Sequence, residues 1–213
     1  MTYKRFKKVL ENIHLNDNSK TPPRGAPGYD KLYKVRPLLE MLDKACQSSA
    51  KTTTSQYIDE SMIQFKGISS LNQYMPLRAI NRGYKVWTRA DSETGYVLEL
   101  QVYRGKRDDQ STEFRLGANV VKSLTQKLID EGFRGHVTFD NFFASYEILQ
   151  YLFNNGIYAI STVNSNRSDQ PLIIETAKNK NLPRNKKISM ARSDFRWHIK
   201  NNVAFVIEFC DRF

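Results

Sequence analysis

Residues 57–67 read Tyr-Ile-Asp-Glu-Ser-Met-Ile-Gln-Phe-Lys-Gly, and residues 137–143 read Val-Thr-Phe-Asp-Asn-Phe-Phe. In each stretch an aspartate, Asp59 or Asp140, ends a short apolar run that carries strand-forming residues. Buried strands that close on carboxylates are typical of proteins that hold metal ions over phosphate. The two stretches therefore predict two strands that carry an incomplete set of candidate metal ligands, whereas composition alone favours a turn or cap role for an isolated aspartate at a strand end.

Length and composition favour a globular protein with a polyanionic partner. The 213 residues, 40% of them hydrophobic, suffice for one sizeable domain or a domain with a small inserted module. The 33 Lys and Arg residues against 22 Asp and Glu residues give a net charge of +11. The sequence has no apolar run of about 18 residues and no secretory signal, which predicts a soluble, intracellular protein with no membrane partner.

Apolar spacing predicts an alternation of helices and strands. Helices are expected at 3–14, from Pro37 to a polar stretch that begins at Gln47, at 120–132 and at 145–154. Strands are expected at 56–65, 84–90, 96–103, 136–140, 158–163 and 203–209. Residues 91–95 are expected to join two strands as a hairpin, whereas a helix between the later strands implies a crossover.

Six short motifs resemble the piggyBac transposase family. They are Asp-Glu-Ser-Met at 59–62, Phe-Lys-Gly at 65–67, Tyr-Met-Pro at 74–76, Gly-Tyr-Lys-Val-Trp at 83–87, Asp-Ser-Glu-Thr-Gly-Tyr at 91–96 and Asp-Asn-Phe-Phe at 140–143. Residues 14–17 and 32–39 are similar to that family as well, so the resemblance covers essentially the whole chain. It implies an α/β fold with a ribonuclease H-like core, a mixed sheet with flanking helices that is incomplete at its C-terminus.

The resemblance also implies domain boundaries. An N-terminal helical segment is expected over 1–53, a partial catalytic core over 54–163 and a partial, basic, β-rich insertion domain over 164–213. The last of these would begin after the strand predicted at 158–163.

A catalytic metal site follows from the same resemblance. The aspartates of two family motifs carry over onto Asp59 and Asp140, as ligands of the Mg²⁺ or Mn²⁺ ions that drive cut-and-paste transposition. The third family carboxylate lies in a Gly-Val-Asp motif that this sequence lacks, so weak or vestigial metal binding is expected. Glu60 follows Asp59 on a strand and points to the opposite face, so it is not expected to share the site.

A basic stretch from Lys178 to Lys200 predicts contact with DNA. It contains eight basic residues and one acidic residue, a net charge of +7, with Phe195 and Trp197 interleaved as candidate stacking surfaces. A solvated charged loop is the alternative interpretation. The candidate DNA-binding residues are Lys66, Arg78, Lys85, Arg184, Lys186, Lys187, Arg192 and Arg196.

Three interpretations of the function stay open. The first is a nuclear, DNA-binding remnant of a transposase, a fragment or a domesticated or decayed derivative that is catalytically incomplete. Its partners would be DNA and a second copy of the chain or a related full-length transposase. The second is an active metal-dependent transposase or nuclease, in which another chain or further sequence supplies the third carboxylate. The third is a pseudogene product without function.

Overall fold

The computed structural model of the chain describes residues 1–50, 53–105, 113–164 and 194–208. The helices α1 to α4 span Tyr3–Asn12, Arg36–Ser49, Glu113–Asp130 and Tyr146–Asn154, and short 3₁₀ helices span Asn18–Lys20 and Tyr33–Val35. The strands β1 to β8 span Ser55–Gln64, Asn72–Tyr74, Arg82–Asp91, Val97–Val102, His136–Phe139, Tyr158–Ser161, Phe195–Lys200 and Val203–Glu208.

Six of these strands form one mixed sheet in the order β2-β3-β1-β5-β6, and β4 also pairs with β3. The pairs β1-β5 and β5-β6 are parallel, whereas β2 and β3 are antiparallel. Parallel neighbours need a crossover connection, and α4 provides it between β5 and β6. The strands β7 and β8 form a separate antiparallel pair.

The chain folds into two compact units, and β1 and β3 contribute to both. One unit contains α1, α2, β2, β4 and residues 60–64 and 82–88, with Trp87 and Leu98 among its buried side chains. The other contains α3, α4, β5 to β8 and residues 55–59 and 89–91. Its core side chains, each at most 1% exposed, come from the sheet and both helices: Ile58, Val121, Leu124, Val137, Ile148 and Leu152.

Most predicted elements agree with the observed ones to within two residues, but three differ. The helix α3 begins at Glu113 rather than near residue 120, and β2 and β7 were not predicted. The strand β7 lies inside the basic stretch, where charged residues alternate with apolar ones. Asn201 and Asn202 have φ of 44° and 65°, the conformation of a tight hairpin turn, and this Asn-Asn pair was the missed sequence signal.

Candidate metal centre and nucleic-acid interface

Asp59 and Asp140 are neighbours across the parallel ladder between β1 and β5. The ladder pairs Ile58 with Phe139, and the two aspartates are the next residues of their strands. Asp140 follows β5 directly, whereas β1 continues to Gln64, so Asp59 ends an apolar run but not a strand. Neighbouring strands lie about 4.8 Å apart, a spacing at which two carboxylates can ligate one cation.

The two aspartates share one face of the sheet. Ile58 and Phe139, the preceding pair, are buried at 1% and 6% exposure. Because successive side chains of a strand alternate between faces, Asp59 and Asp140 project to the other side. Asp140 is exposed there. Mg²⁺ prefers oxygen ligands and retains several waters, so the pair fits one weakly held divalent ion.

The Asp140 carboxylate is oriented by two hydrogen bonds to the same oxygen. Its Oδ1 accepts from the Asn141 N–H at 2.6 Å and from the Thr162 hydroxyl at 3.1 Å. The ladder between β5 and β6 pairs Phe139 with Ser161, so Thr162 is the next residue opposite Asp140. Thr162 was missed by the sequence analysis, because strand register and not local sequence brings it to a partner 22 residues away.

The segment after Asp140 is a tight turn anchored in the core. The Phe143 N–H donates to the Asp140 carbonyl oxygen at 3.1 Å. Phe143 and Ala144 are buried at 1% and 0% exposure. Gly117 of α3 lies against this turn, and a Cβ on Gly117 would stand 2.5 Å from the Phe142 carbonyl oxygen. Close packing of two backbones therefore fixes the position of the turn that follows Asp140.

Glu60, the neighbour of Asp59, is engaged by an arginine. Arg78 forms an ion pair with its carboxylate, and the Glu60 side chain is only 8% exposed. A carboxylate held this way is a poor metal ligand, because a cation would have to displace the guanidinium. The ion pair favours the expectation that Glu60 lies outside the metal site.

The candidate DNA-binding residues lie in different environments. Lys66 is exposed after β1, Arg78 is held by its ion pair, and the Lys85 ammonium lies 4.0 Å from the centre of the Trp87 ring. Arg196 is exposed on β7. The other four, Arg184, Lys186, Lys187 and Arg192, lie outside the described residues.

Basic and aromatic side chains of β7 fall on opposite faces of the hairpin. Arg196 and Trp197 are adjacent in sequence, and alternation along a strand separates them. Trp197 is 62% exposed and pairs with Val206, which is 65% exposed, whereas His198 pairs with Phe205 at 4% exposure. The stacking and phosphate contacts expected from this interleaved stretch would therefore use two separate surfaces.

Asp91 fixes the turn between β3 and β4. Its carboxylate accepts hydrogen bonds from the Thr53 hydroxyl, the Thr94 hydroxyl at 2.5 Å and the Thr94 N–H at 2.8 Å. These bonds, that from Thr53 first, hold the pKa of Asp91 below its ordinary value of 3.8 and outweigh the effect of burial. Hydrogen bonds from Thr53 outside the turn and Thr94 within it give the aspartate of this motif a structural role.

The described residues contain no group of three or more His, Cys, Asp or Glu side chains arranged to hold a metal ion. In the same part of the chain, no helix combines the length and apolar character needed to cross a membrane.

Comparisons with known proteins identify relatives of this chain. The family described as Transposase IS4 matches residues 1–211. Human PiggyBac transposable element-derived protein 3 is 32% identical over 203 residues, which are 93% of this chain and 32% of that protein. The human Chimeric ERCC6-PGBD3 protein is also 32% identical over 203 residues, 18% of its length. The chain thus spans about a third of the first relative and less of the second.

A solved structure has the same fold. The cryo-EM structure of the piggyBac transposase synaptic complex with hairpin DNA superposes with a TM-score of 0.81 at 22% identity, over 99% of this chain and 41% of that one. This agreement confirms the predicted fold class, a mixed α/β sheet with flanking helices. The chain belongs to the transposase family, and within it to the piggyBac-related proteins.

Proposed function

We propose that the chain is a DNA-binding protein derived from a piggyBac transposase, and that its 213 residues alone do not complete a catalytic centre. The adjacency of Asp59 and Asp140 beyond the β1-β5 ladder carries this proposal. The family resemblance implies that these are two of three metal-binding aspartates. The third, expected in a Gly-Val-Asp motif, has no counterpart in the sequence.

Asp59 and Asp140 would bind Mg²⁺ or Mn²⁺ through their carboxylate oxygens. A pair of such ions stabilises the attacking and leaving oxygens of phosphodiester transfer when a site holds both. Two aspartates leave most positions of one octahedral ion to water and phosphate and give a second ion little support. We expect weak metal binding and little or no strand transfer by this chain alone.

The charge of the chain supports DNA as the partner. The net charge is +11, and the stretch from Lys178 to Lys200 contributes +7. Lys66 and Arg196 are exposed. The solved relative of the same fold is a synaptic complex with hairpin DNA. The same proposal includes a nuclear location and, as a protein partner, a second copy of the chain or a related full-length transposase. It also includes the domain boundaries 1–53, 54–163 and 164–213.

The salt dependence of DNA binding tests this proposal. In a fluorescence anisotropy titration with a labelled duplex, four phosphate contacts predict about a hundredfold loss of affinity between about 50 and 200 mM salt. Lys186→Glu with Lys187→Glu removes two candidate contacts. It should weaken binding and make the slope of log affinity against log salt shallower by about 1.8.

The matched control is Lys122→Glu with Lys127→Glu on α3, which changes the net charge equally. Both lysines already pair with carboxylates, Lys122 with Glu147 and Lys127 with Glu131. We expect this variant to keep the wild-type slope. Binding that is independent of salt, or an equal loss in both variants, would count against a DNA interface in the basic stretch.

An active metal-dependent transposase or nuclease is the second candidate. It is favoured by the adjacency of the two aspartates and by the exposure of Asp140. A plasmid-nicking assay with Mn²⁺ compares the wild type with Asp59→Asn and Asp140→Asn. Nicking that either substitution abolishes would establish an enzyme and overturn the proposal of an incomplete centre.

A further inference from the structure

We propose that Thr162 is a positioning residue that orients the Asp140 carboxylate toward a metal ion. This inference rests on the proposed function, in which Asp140 is a metal ligand. Thr162 is not among the residues that the family resemblance identifies as metal ligands, and it lies 22 residues from Asp140 along the chain.

The hydrogen bonds of Asp140 are asymmetric. Among the described residues, both donors, the Asn141 N–H and the Thr162 hydroxyl, bond to Oδ1. A carboxylate oxygen offers about two lone-pair sites, so two donors occupy those of Oδ1. Oδ2 then remains as the oxygen for a cation, and the two donors on Oδ1 restrict the rotation of the carboxylate.

Strand register brings the hydroxyl to this position. The ladder between β5 and β6 ends with Phe139 opposite Ser161, and the next two residues are Asp140 and Thr162. Asp59 is the corresponding residue on the other side of β5, beyond the ladder with β1. Three consecutive parallel strands therefore carry Asp59, Asp140 and Thr162 in one row. Because Thr162 directly follows β6, no separate loop has to become ordered to bring its hydroxyl to Asp140.

A hydroxyl that donates to a carboxylate stabilises the anion and restricts its rotation. Partners of this kind typically contribute 10- to 100-fold to metal affinity. Thr162 and Asp140 are both exposed, so water competes for this bond. We expect a smaller effect, about three- to tenfold. The second donor is a backbone N–H, so side-chain substitution can remove only the bond from Thr162.

The test is a titration of the full 213-residue chain with Mn²⁺ alone, followed by the electron paramagnetic resonance signal of the free ion. Thr162→Val keeps the shape of the side chain and removes the donor, whereas Thr162→Ser keeps the donor. We expect Thr162→Val to weaken Mn²⁺ binding about three- to tenfold and Thr162→Ser to restore wild-type affinity within about twofold.

The thermal unfolding of every variant is also measured. The Mn²⁺ titration is then carried out below the melting temperature of the least stable variant. Thr162→Ala repeats the loss of the donor with a smaller side chain if Thr162→Val does not fold. If Thr162 had a purely structural role, the variants without the hydroxyl would have a lower melting temperature, but their Mn²⁺ affinity would not depend on whether the hydroxyl is present.

Asp140→Asn separates the inference from the proposal beneath it. If Asp140→Asn weakens Mn²⁺ binding but Thr162→Val does not, or if Thr162→Ser is as weak as Thr162→Val, the positioning role is overturned and the metal site stands. If Asp140→Asn binds Mn²⁺ like the wild type, Asp140 is not a ligand, and the metal site and the inference both fail.

Discussion

Gly117→Ala tests whether α3 holds the turn that follows Asp140 by direct packing of two backbones. A Cβ on Gly117 would lie 2.5 Å from the Phe142 carbonyl oxygen and 3.0 Å from the Phe143 Cα, closer than the ordinary contact of 3.4–4 Å. Neither neighbour is a flexible side-chain end. The helix and the turn must therefore separate if alanine is introduced.

Two opposing effects set the size of the change. Alanine is favoured over glycine inside a helix by about 1 kcal/mol. Overpacking of a filled core costs about 1–3 kcal/mol, and the upper half of that range applies because Phe143 and Ala144 anchor the turn. The net loss of stability is about 1–2 kcal/mol, which corresponds to a fall in melting temperature of about 3–6 °C for a chain of this size.

The assay is thermal unfolding followed by circular dichroism, with Asn119→Ala as the control. Asn119 is exposed on the same helix, so its replacement adds helix propensity without a clash. It should raise the melting temperature by about 1–2 °C. A Gly117→Ala variant that is stabilised as much as Asn119→Ala would refute the close packing of α3 against the turn.

Two further predictions concern the turn at Asp91 and the turn that follows Asp140. Asp91 has a folded pKa below 3.8, so the stability from its hydrogen bonds to Thr53 and Thr94 is fully present above about pH 4 and is lost as the pH falls through the folded value. Asp91→Asn should therefore lower the melting temperature at pH 7, by an amount that shrinks toward pH 2. A difference in melting temperature between wild type and variant that stays constant from pH 7 to pH 2 would contradict a stabilising role of the ionised carboxylate. Phe143→Ala should destabilise the chain by about 3–5 kcal/mol in urea unfolding, because the ring is 1% exposed. A loss below about 1 kcal/mol would mean that this ring does not anchor the turn.

The sequence predicted the strands of the candidate site because local patterns specify them. Apolar runs end at Asp59 and Asp140, and the turn formers Asn155 and Gly156 stop the helix before β6. The family resemblance assigned the two aspartates to one site, and the parallel pairing of β1 with β5 makes them neighbours.

Register and backbone packing were not predictable from local patterns. The bond from Thr162 to Asp140 depends on which residues of β5 and β6 face each other, and this is set by the whole sheet. The role of Gly117 depends on a turn that lies far along the chain. In β7, Phe195, Trp197 and Ile199 alternate with polar residues, a local pattern that is typical of a strand but was interpreted only as part of a basic stretch. The same alternation separates Arg196 from the aromatic face.

The most direct test of the central claim, that Asp59 and Asp140 form one metal site, is a double-mutant cycle of Mn²⁺ affinity. If both carboxylates hold the same ion, Asp59→Asn and Asp140→Asn should each weaken binding at least about tenfold, and the double variant should be little weaker than either one. Single variants that each lose one of two bound ions, while the other ion binds with wild-type affinity, would mean two independent sites. Wild-type affinity in the double variant would contradict the claim altogether.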